Sequence, residues 1–259
     1  MSGIATSSVV PMRAEPSEQS EMVSQLLWGE TFRVEETADR WLRISAHHDR
    51  YVGWVNPLMV SVVDDEKWER EVGVPYHISA PALCFAVNEK THERVFIPQG
   101  SLLYRYNELA QTFALLHNTF KLEEAPDKLP SGRRNAIVAA AQRLLNAPYL
   151  WGGRTALGID CSGLTQLAYS VAGVNIPRNA SQQAEKGEIV NFLDSAQPAD
   201  LAFFDNEEGK IMHVGILLGG GKIIHASGAV HVDRIDSEGI FSAAQNRYTH
   251  KLRVIKKLA

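Results

Sequence analysis

The sequence predicts an α+β chain: one or two small all-β barrels, then a mixed domain of helices and antiparallel strands. Three observations carry this. Residues 6–62 hold short stretches that alternate apolar and polar residues, at the close spacing of a small closed barrel. After residue 131, apolar positions recur three and four apart, the helical period. Near the C-terminal end, two apolar runs flank Gly219-Gly220-Gly221, which reads as an antiparallel hairpin.

The chain has 259 residues, enough for two or three small domains, and 45% hydrophobic with 22% charged content reads as an ordinary globular protein. A net charge of -4 supplies no basic field, so nucleic acid is not an expected partner. No apolar run reaches membrane-spanning length, and residues 1–8 lack the basic and apolar regions of a secretory signal. A cytoplasmic, monomeric protein with no membrane partner is expected.

In the first segment, 1–62, the strand-like stretches are Ser8–Arg13, Met22–Glu30, Thr31–Val34, Trp41–Ile44 and Tyr51–Val55. In the second, 63–125, strands are expected over Ala82–Val87, Arg94–Pro98 and Ser101–Tyr104, with a turn at Pro98-Gln99-Gly100-Ser101. Cys84 lies in an apolar run and reads as a small buried hydrophobe. A proline-bearing linker, Glu123–Pro130, leads into the third segment, 126–259. There Ser131 is placed to cap a helix running to Asn146, with Ile137, Ala140, Ala141, Leu144 and Leu145 on its apolar side and Pro148 as its stop.

A glycine-rich loop then runs into Asp160-Cys161-Ser162. Leu164, Leu167, Ala168 and Val171 follow on one helical face, and Gly173 ends the helix. Cys161 therefore stands in a first helical turn, where free N–H groups and the helix dipole favour an anion and make a thiol more acidic. Position alone suits a nucleophile and a neutral first-turn residue equally. The second cysteine, Cys84, sits in different surroundings, and no disulfide is expected between them.

The hairpin adds two histidines. If a three-glycine loop pairs Leu218 with Lys222, His225 falls opposite Gly215, two residues from His213. The two rings then share a face as diagonal neighbours with centres roughly 7–8 Å apart. A two-residue loop would separate them onto opposite faces unless a bulge restores parity. A cysteine attacking an amide needs a base, and the base needs a third group to fix its tautomer. His213 fits the base and His225 the orienting group. His47, His48, His77, His92, His117, His231 and His250 lack such a context and read as packed or solvated. A zinc site of Cys161, His213 and His225 lacks the close ligand pairs usual for that metal, so neither metal nor cofactor is expected.

Taken in order, Tyr149-x-Trp151-Gly152-Gly153, Asp160-Cys161-Ser162-Gly163-Leu164, Pro198-Ala199-Asp200-Leu201, His213-Val214-Gly215-Ile216 and His225-Ala226-Ser227 resemble the NlpC-type cell-wall peptidases, which have a papain-like α+β fold. Leu27-Trp28-Gly29-Glu30, Trp41-Leu42-Arg43-Ile44 and Tyr51-Val52-Gly53-Trp54-Val55 resemble the bacterial SH3-like domain, and 63–125 is taken as a divergent second copy. The resemblance implies Cys161 as nucleophile, His213 as base, His225 as the polar third member and Tyr149 as an oxyanion donor beside the Cys161 backbone N–H. Ala199 departs from the family's usual glycine.

The whole arrangement is similar to the γ-D-glutamyl-L-diamino acid endopeptidases, or dipeptidyl-peptidases VI. That likeness implies a murein-derived peptide substrate with a free N-terminal L-alanine, cut after γ-linked D-glutamate during wall-peptide recycling. It implies Glu30, Tyr51 and Asp160 as holders of the ammonium. Ser162, Ser181 and Trp151 would contact the glutamyl portion, and Arg178 its free carboxylate. Competing expectations are an exported wall-lytic endopeptidase, acyl transfer on the same fold, and a non-catalytic wall-binding scaffold.

Overall fold

The computed structural model describes residues 1–64, 68, 72–126 and 128–259. The parts of the second segment and the linker at 65–67, 69–71 and 127 lie outside the described residues. The chain divides into two units, Met1–Lys128 and Leu129–Ala259.

The first unit contains two antiparallel sheets. One is built from β1 (Ser2–Ala5), β2 (Val9–Arg13), β3 (Met22–Leu27), β4 (Thr31–Ala38), β5 (Trp41–Ala46), β6 (Val52–Val55) and β7 (Val60–Val63), in the order β3-β2-β6-β5-β4-β1-β7. Its strands are those the alternation predicts, plus β1 and β7. Val10, Met12, Leu26, Phe32, Ile44 and Val55 point into its core. The other holds β8 (Tyr76–Ile78), β9 (Leu83–Asn88), β10 (Arg94–Pro98), β11 (Leu102–Asn107), β12 (Thr112–Leu115) and β13 (Asn118–Leu122). Ile4, Trp28 and Val63 of the first sheet's segment pack into the core of the second, so the two sheets share apolar burial. The turn after β3 fastens them. Gly29 has φ +77 there, and a Cβ would lie 2.3 Å from the Leu102 carbonyl oxygen. The Tyr104 hydroxyl donates to the Gly29 carbonyl at 2.9 Å. Only glycine fits such a turn. Cys84 is half-buried, and burial raises its thiol above the ordinary value.

The second unit is the mixed part. It contains α1 (Arg133–Gln142), the ribbon β14 (Arg154–Thr155) and β15 (Gly158–Ile159), α2 (Cys161–Val171), α3 (Ala180–Ala184), β16 (Glu188–Val190), β17 (Leu201–Asp205), β18 (Ile211–Gly219), β19 (Lys222–Ser227), β20 (Ala229–Ile235), β21 (Gly239–Ser242) and β22 (Arg247–Lys257). The sheet order is β16-β22-β17-β18-β19-β20-β21, and a further β21–β22 pairing closes it on itself. Helices α1 and α2 pack together, and both lie against β18. No helix among the described residues is long and apolar enough to cross a membrane.

Two local expectations are corrected. Helix α1 ends at Gln142, short of Asn146, and Leu145 is exposed. Asn146 instead takes φ +68 and donates to the Val230 carbonyl at 2.9 Å, so pairing with β20 overrides the helical period. The N-cap is Gly132 at φ +88 with no side-chain cap, so Ser131 does not fill that role.

Helix α2 follows its sequence more closely. Asp160 is the N-cap, accepting from the Gly163 N–H at 2.7 Å, and Gly173 ends the helix at φ +78. The Val174 N–H reaches the Tyr169 carbonyl and the Gly173 N–H reaches that of Ser170, the two bonds of a Schellman close. The helix is buried all round, beyond the single apolar face of its pattern. Its polar residues are therefore bonded: Thr165 to the Ser162 carbonyl and Gln183, Gln166 to the Ile176 carbonyl.

Candidate active site

Cys161 is the first residue of α2 and only 7% exposed. Its sulfur accepts from the backbone N–H groups of Ser162 and of Val214, the residue after His213 on β18, so the thiol lies against the histidine strand. Burial, and then the Asp160 carboxylate, push the thiol up to about 11. This reverses the expected acidification. The helix-start amides do favour the anion, but removing the sulfur from water costs more. The resting group is a neutral thiol.

The register of the histidine hairpin places His225 opposite Gly215 as expected, by a different route. The loop is the two-residue Gly220-Gly221 turn, with φ of +60 and +66. Gly219 pairs with Lys222, and a register shift between Leu217 and Gly219 restores the parity that such a loop would otherwise break. His213 and His225 therefore share a face. Their rings stand edge to face, centroids 5.2 Å apart, with His213 Nε2 3.0 Å from His225 Nδ1.

Three residues beyond the sequence expectation join this pair. His250 of β22 stacks on His213 at 4.1 Å between centroids. His231 of β20 is directly opposite His225, with centroids 4.5 Å apart. Asp233, two residues on and on the same face, has Oδ2 3.4 Å from His225 Nε2 and 3.2 Å from His231 Nε2. His231-Val232-Asp233 alternates across the strand after the hairpin, so parity on β20 is the signal that finds it. His250 arrives by the pairing of β22 with β17, far apart along the chain, and has no local signal.

Hydrogen-bond chemistry orders the protons in this row. Asp233 is an acceptor, so His225 carries its proton on Nε2 and offers a bare Nδ1. His213 then donates from Nε2 and keeps a lone pair on Nδ1. Burial, with the neighbouring His250, His225 and His231, holds His213 well below its ordinary value. Burial, followed by His231 and His250, lowers His225 to about 4, the Asp233 carboxylate opposing. Both rings are neutral near pH 7, the state a general base needs.

Tyr149 stands near the sulfur. Burial, and then Cys161, Asp160 and Arg178 in that order, bear on its hydroxyl, the first three raising it to about 12, so it remains a donor. Trp151 is exposed, and Ser181 is exposed on α3. Within the second unit a cleft of about 1000 Å³ borders His213 and His250 and includes Phe204, Met212 and Tyr248.

Asp160 and Arg178 are placed differently from the expectation. They form a bidentate pair at 2.9 and 2.6 Å, with Arg178 2% exposed and Asp160 5% exposed. Arg178 also donates to Ser162 Oγ at 2.9 Å, and Asp160 accepts from the Gly152 N–H at 2.8 Å. With both carboxylate oxygens engaged, Asp160 caps and fixes the cysteine turn rather than presenting a free charge to an ammonium. Arg178 neutralises it and is withdrawn from any ligand carboxylate. Glu30 and Tyr51 belong to the first unit. Glu30 accepts from the Leu27 N–H at 2.9 Å and lies 3.7 Å from His48, while Tyr51 packs on the first sheet's core.

Comparison with known proteins agrees with this geometry. The family model described as "NlpC/P60 family" matches residues 146–253, and "Bacterial dipeptidyl-peptidase Sh3 domain" matches 12–57. The chain is 32% identical over 222 residues to the γ-D-glutamyl-L-lysine dipeptidyl-peptidase of Bacillus subtilis (strain 168), covering 78% of this chain and 71% of that one. It is 22% identical over 239 residues to the protein of the same name from Bacillus cereus (strain ATCC 10987 / NRS 248), covering 80% and 68%. The crystal structure of an NlpC/P60 family protein from Bacillus cereus ATCC 10987 shares the fold, with a TM-score of 0.85 at 16% identity over 99% of each chain. The chain belongs to the NlpC/P60 family, as a cysteine peptidase carrying an SH3 domain of the bacterial dipeptidyl-peptidase type.

Proposed function

We propose that this peptidase hydrolyses the bond between γ-linked D-glutamate and the diamino acid, meso-diaminopimelate or lysine, of free murein peptides with an N-terminal L-alanine. It acts in the cytoplasm in the recycling of wall peptides. The observation that carries the catalytic part is the 3.0 Å His213–His225 contact beside a sulfur held by the Val214 N–H. The substrate part is supported by the names of the relatives and by the dipeptidyl-peptidase SH3 match.

In this reading Cys161 is the nucleophile. As its sulfur attacks the γ-carbonyl, the thiol proton passes to the lone pair on His213 Nδ1, and the carbonyl π electrons move onto oxygen. The Cys161 backbone N–H and the Tyr149 hydroxyl donate to that oxyanion. One such donor lowers the barrier by on the order of 3 kcal/mol. Collapse breaks the C–N bond, and His213 returns the proton to the departing amine. Water, deprotonated by the same nitrogen, then cleaves the thioester. His225 accepts from His213 Nε2 throughout, which fixes the tautomer and stabilises the transient imidazolium. Because the thiol is neutral at rest, its ionisation is coupled to attack.

Trp151, Ser162 and Ser181 are assigned to the glutamyl portion, and Glu30 and Tyr51 to the free amine. The test compares L-Ala-γ-D-Glu-diaminopimelate with its N-acylated form. The free tripeptide is expected to be cut and the acylated one spared, while Cys161→Ala is inert and His213→Ala loses about 10²–10⁴-fold in rate. Digestion of intact sacculi as readily as the free tripeptide would refute the recycling role. Unchanged discrimination between the two tripeptides in Glu30→Gln would withdraw Glu30.

A further inference from the structure

His231 stands between a backbone carbonyl and a carboxylate. Its Nδ1 lies 2.8 Å from the Ala229 carbonyl oxygen, which can only accept, so Nδ1 carries the proton. Its Nε2 faces Asp233 Oδ2 at 3.2 Å. The same oxygen is 3.4 Å from His225 Nε2, and the three atoms lie within 4.8 Å of one another. These are three potential ligand atoms converging on one point.

We propose that His225, His231 and Asp233 form a binding site for a divalent transition-metal ion such as Zn²⁺, and that its occupancy switches the peptidase off. Two imidazole nitrogens and a carboxylate oxygen are ordinary zinc donors. Bond lengths of about 2.0–2.2 Å make tetrahedral ligand–ligand edges of roughly 3.3 Å, the spacing of both histidine nitrogens from Asp233 Oδ2. The ligands need no long loop to assemble. His225 and His231 are a cross-strand pair of β19 and β20, and Asp233 is the next residue on that face. Each imidazole is already steered through its far nitrogen, His231 by the Ala229 carbonyl and His225 by His213, the arrangement that orients metal-binding histidines. The His231 side chain is 39% exposed, which leaves a way in and room for a water as fourth ligand.

Occupancy has a chemical consequence one ring away. The ion takes the Nε2 lone pair of His225, so that ring's single proton must sit on Nδ1. Nδ1–H then donates to His213 Nε2, reversing the bond. His213 in turn holds its proton on Nδ1, the atom assigned above to receive the thiol proton, and cannot accept another there. Both rings stay neutral, and no net proton is released by these two shifts. The binding half of the proposal is independent of the substrate; the inhibition half rests on His213 being the base.

The experiment uses the full chain freed of metal by a chelator. Zn²⁺ binding is measured by equilibrium dialysis, and Co²⁺ binding by its visible absorption, in wild type, Cys161→Ser, His231→Ala and the milder His231→Asn. The expected result is one ion per chain in wild type and Cys161→Ser, without a thiolate charge-transfer band, and affinity at least tenfold weaker in both His231 variants. Zn²⁺ is expected to inhibit peptide cleavage by wild type and to lose that effect in His231→Ala, each rate being taken relative to the same protein without zinc. Equal binding by the His231 variants, or loss of binding in Cys161→Ser, overturns the site. Stoichiometric binding without inhibition overturns the switch.

Discussion

Replacing Arg178 by methionine tests how the cysteine turn is held. The substitution keeps most of the side-chain volume and removes the guanidinium. It deletes two bonds to Asp160, one to Ser162 and one to the Gly153 carbonyl, leaving a 5%-exposed carboxylate with two backbone N–H groups and the Ser162 hydroxyl but no cation. Removing one partner of a buried ion pair costs about 3–5 kcal/mol, because the other charge stays desolvated. At about 4 °C per kcal/mol for a unit of this size, melting of the second unit should fall by about 12–20 °C. Peptide cleavage should fall as well, since Asp160 fixes the first turn of α2 and with it Cys161. Calorimetry of wild type, Arg178→Met, Asp160→Asn and the double variant gives the coupling. The double variant should be more stable than Arg178→Met alone, because asparagine still caps the helix and carries no charge. A loss below about 1 kcal/mol in Arg178→Met would refute the view that this pair is structural.

Other consequences follow from burial and register. Cys161 should alkylate with iodoacetamide at a rate that keeps rising up to about pH 11, with no plateau near neutrality. Because its folded pKa is raised, that group's stabilisation is complete below about 9 and lost as pH rises through about 11, which alkaline unfolding of Cys161→Ala against wild type measures. His225 is depressed, so its contribution is complete above about 6.5 and lost as pH falls through about 4; His225→Asn should flatten that acid limb in urea melts. Gly163→Ala places a Cβ 2.3 Å from the Gly153 carbonyl oxygen and should destabilise by about 1–3 kcal/mol in the same melts.

Much of the site was legible because it rests on local rules. Glycine punctuation and the 3.6-residue period put Cys161 at a helix start, and two-residue parity put His213 and His225 on one face. The parity survived a wrong loop length only because a bulge compensated, and a bulge leaves little mark in sequence. What escaped depends on burial and closure. The acidity of Cys161 was misjudged because a helix start says nothing of how deeply the sulfur is covered. Asp160 and Arg178, eighteen residues apart, each looked available to a ligand, and only their mutual contact shows that they are satisfied. His231 and Asp233 were within reach of the same parity argument, carried one strand further. His250 was not, since β22 comes beside β17, and so near His213, by a pairing between segments far apart along the chain. The end of α1 was misplaced because Asn146 bonds Val230, a partner far along the chain.

The most direct measurement is acid-quenched mass spectrometry of the enzyme during turnover of L-Ala-γ-D-Glu-diaminopimelate. The account requires an adduct of the L-Ala-γ-D-Glu acyl group on the peptide containing Cys161, absent from Cys161→Ala and no longer formed at an appreciable rate in His213→Ala. An acyl group on any other residue, or tripeptide hydrolysis that persists at the wild-type rate in Cys161→Ala, would contradict it.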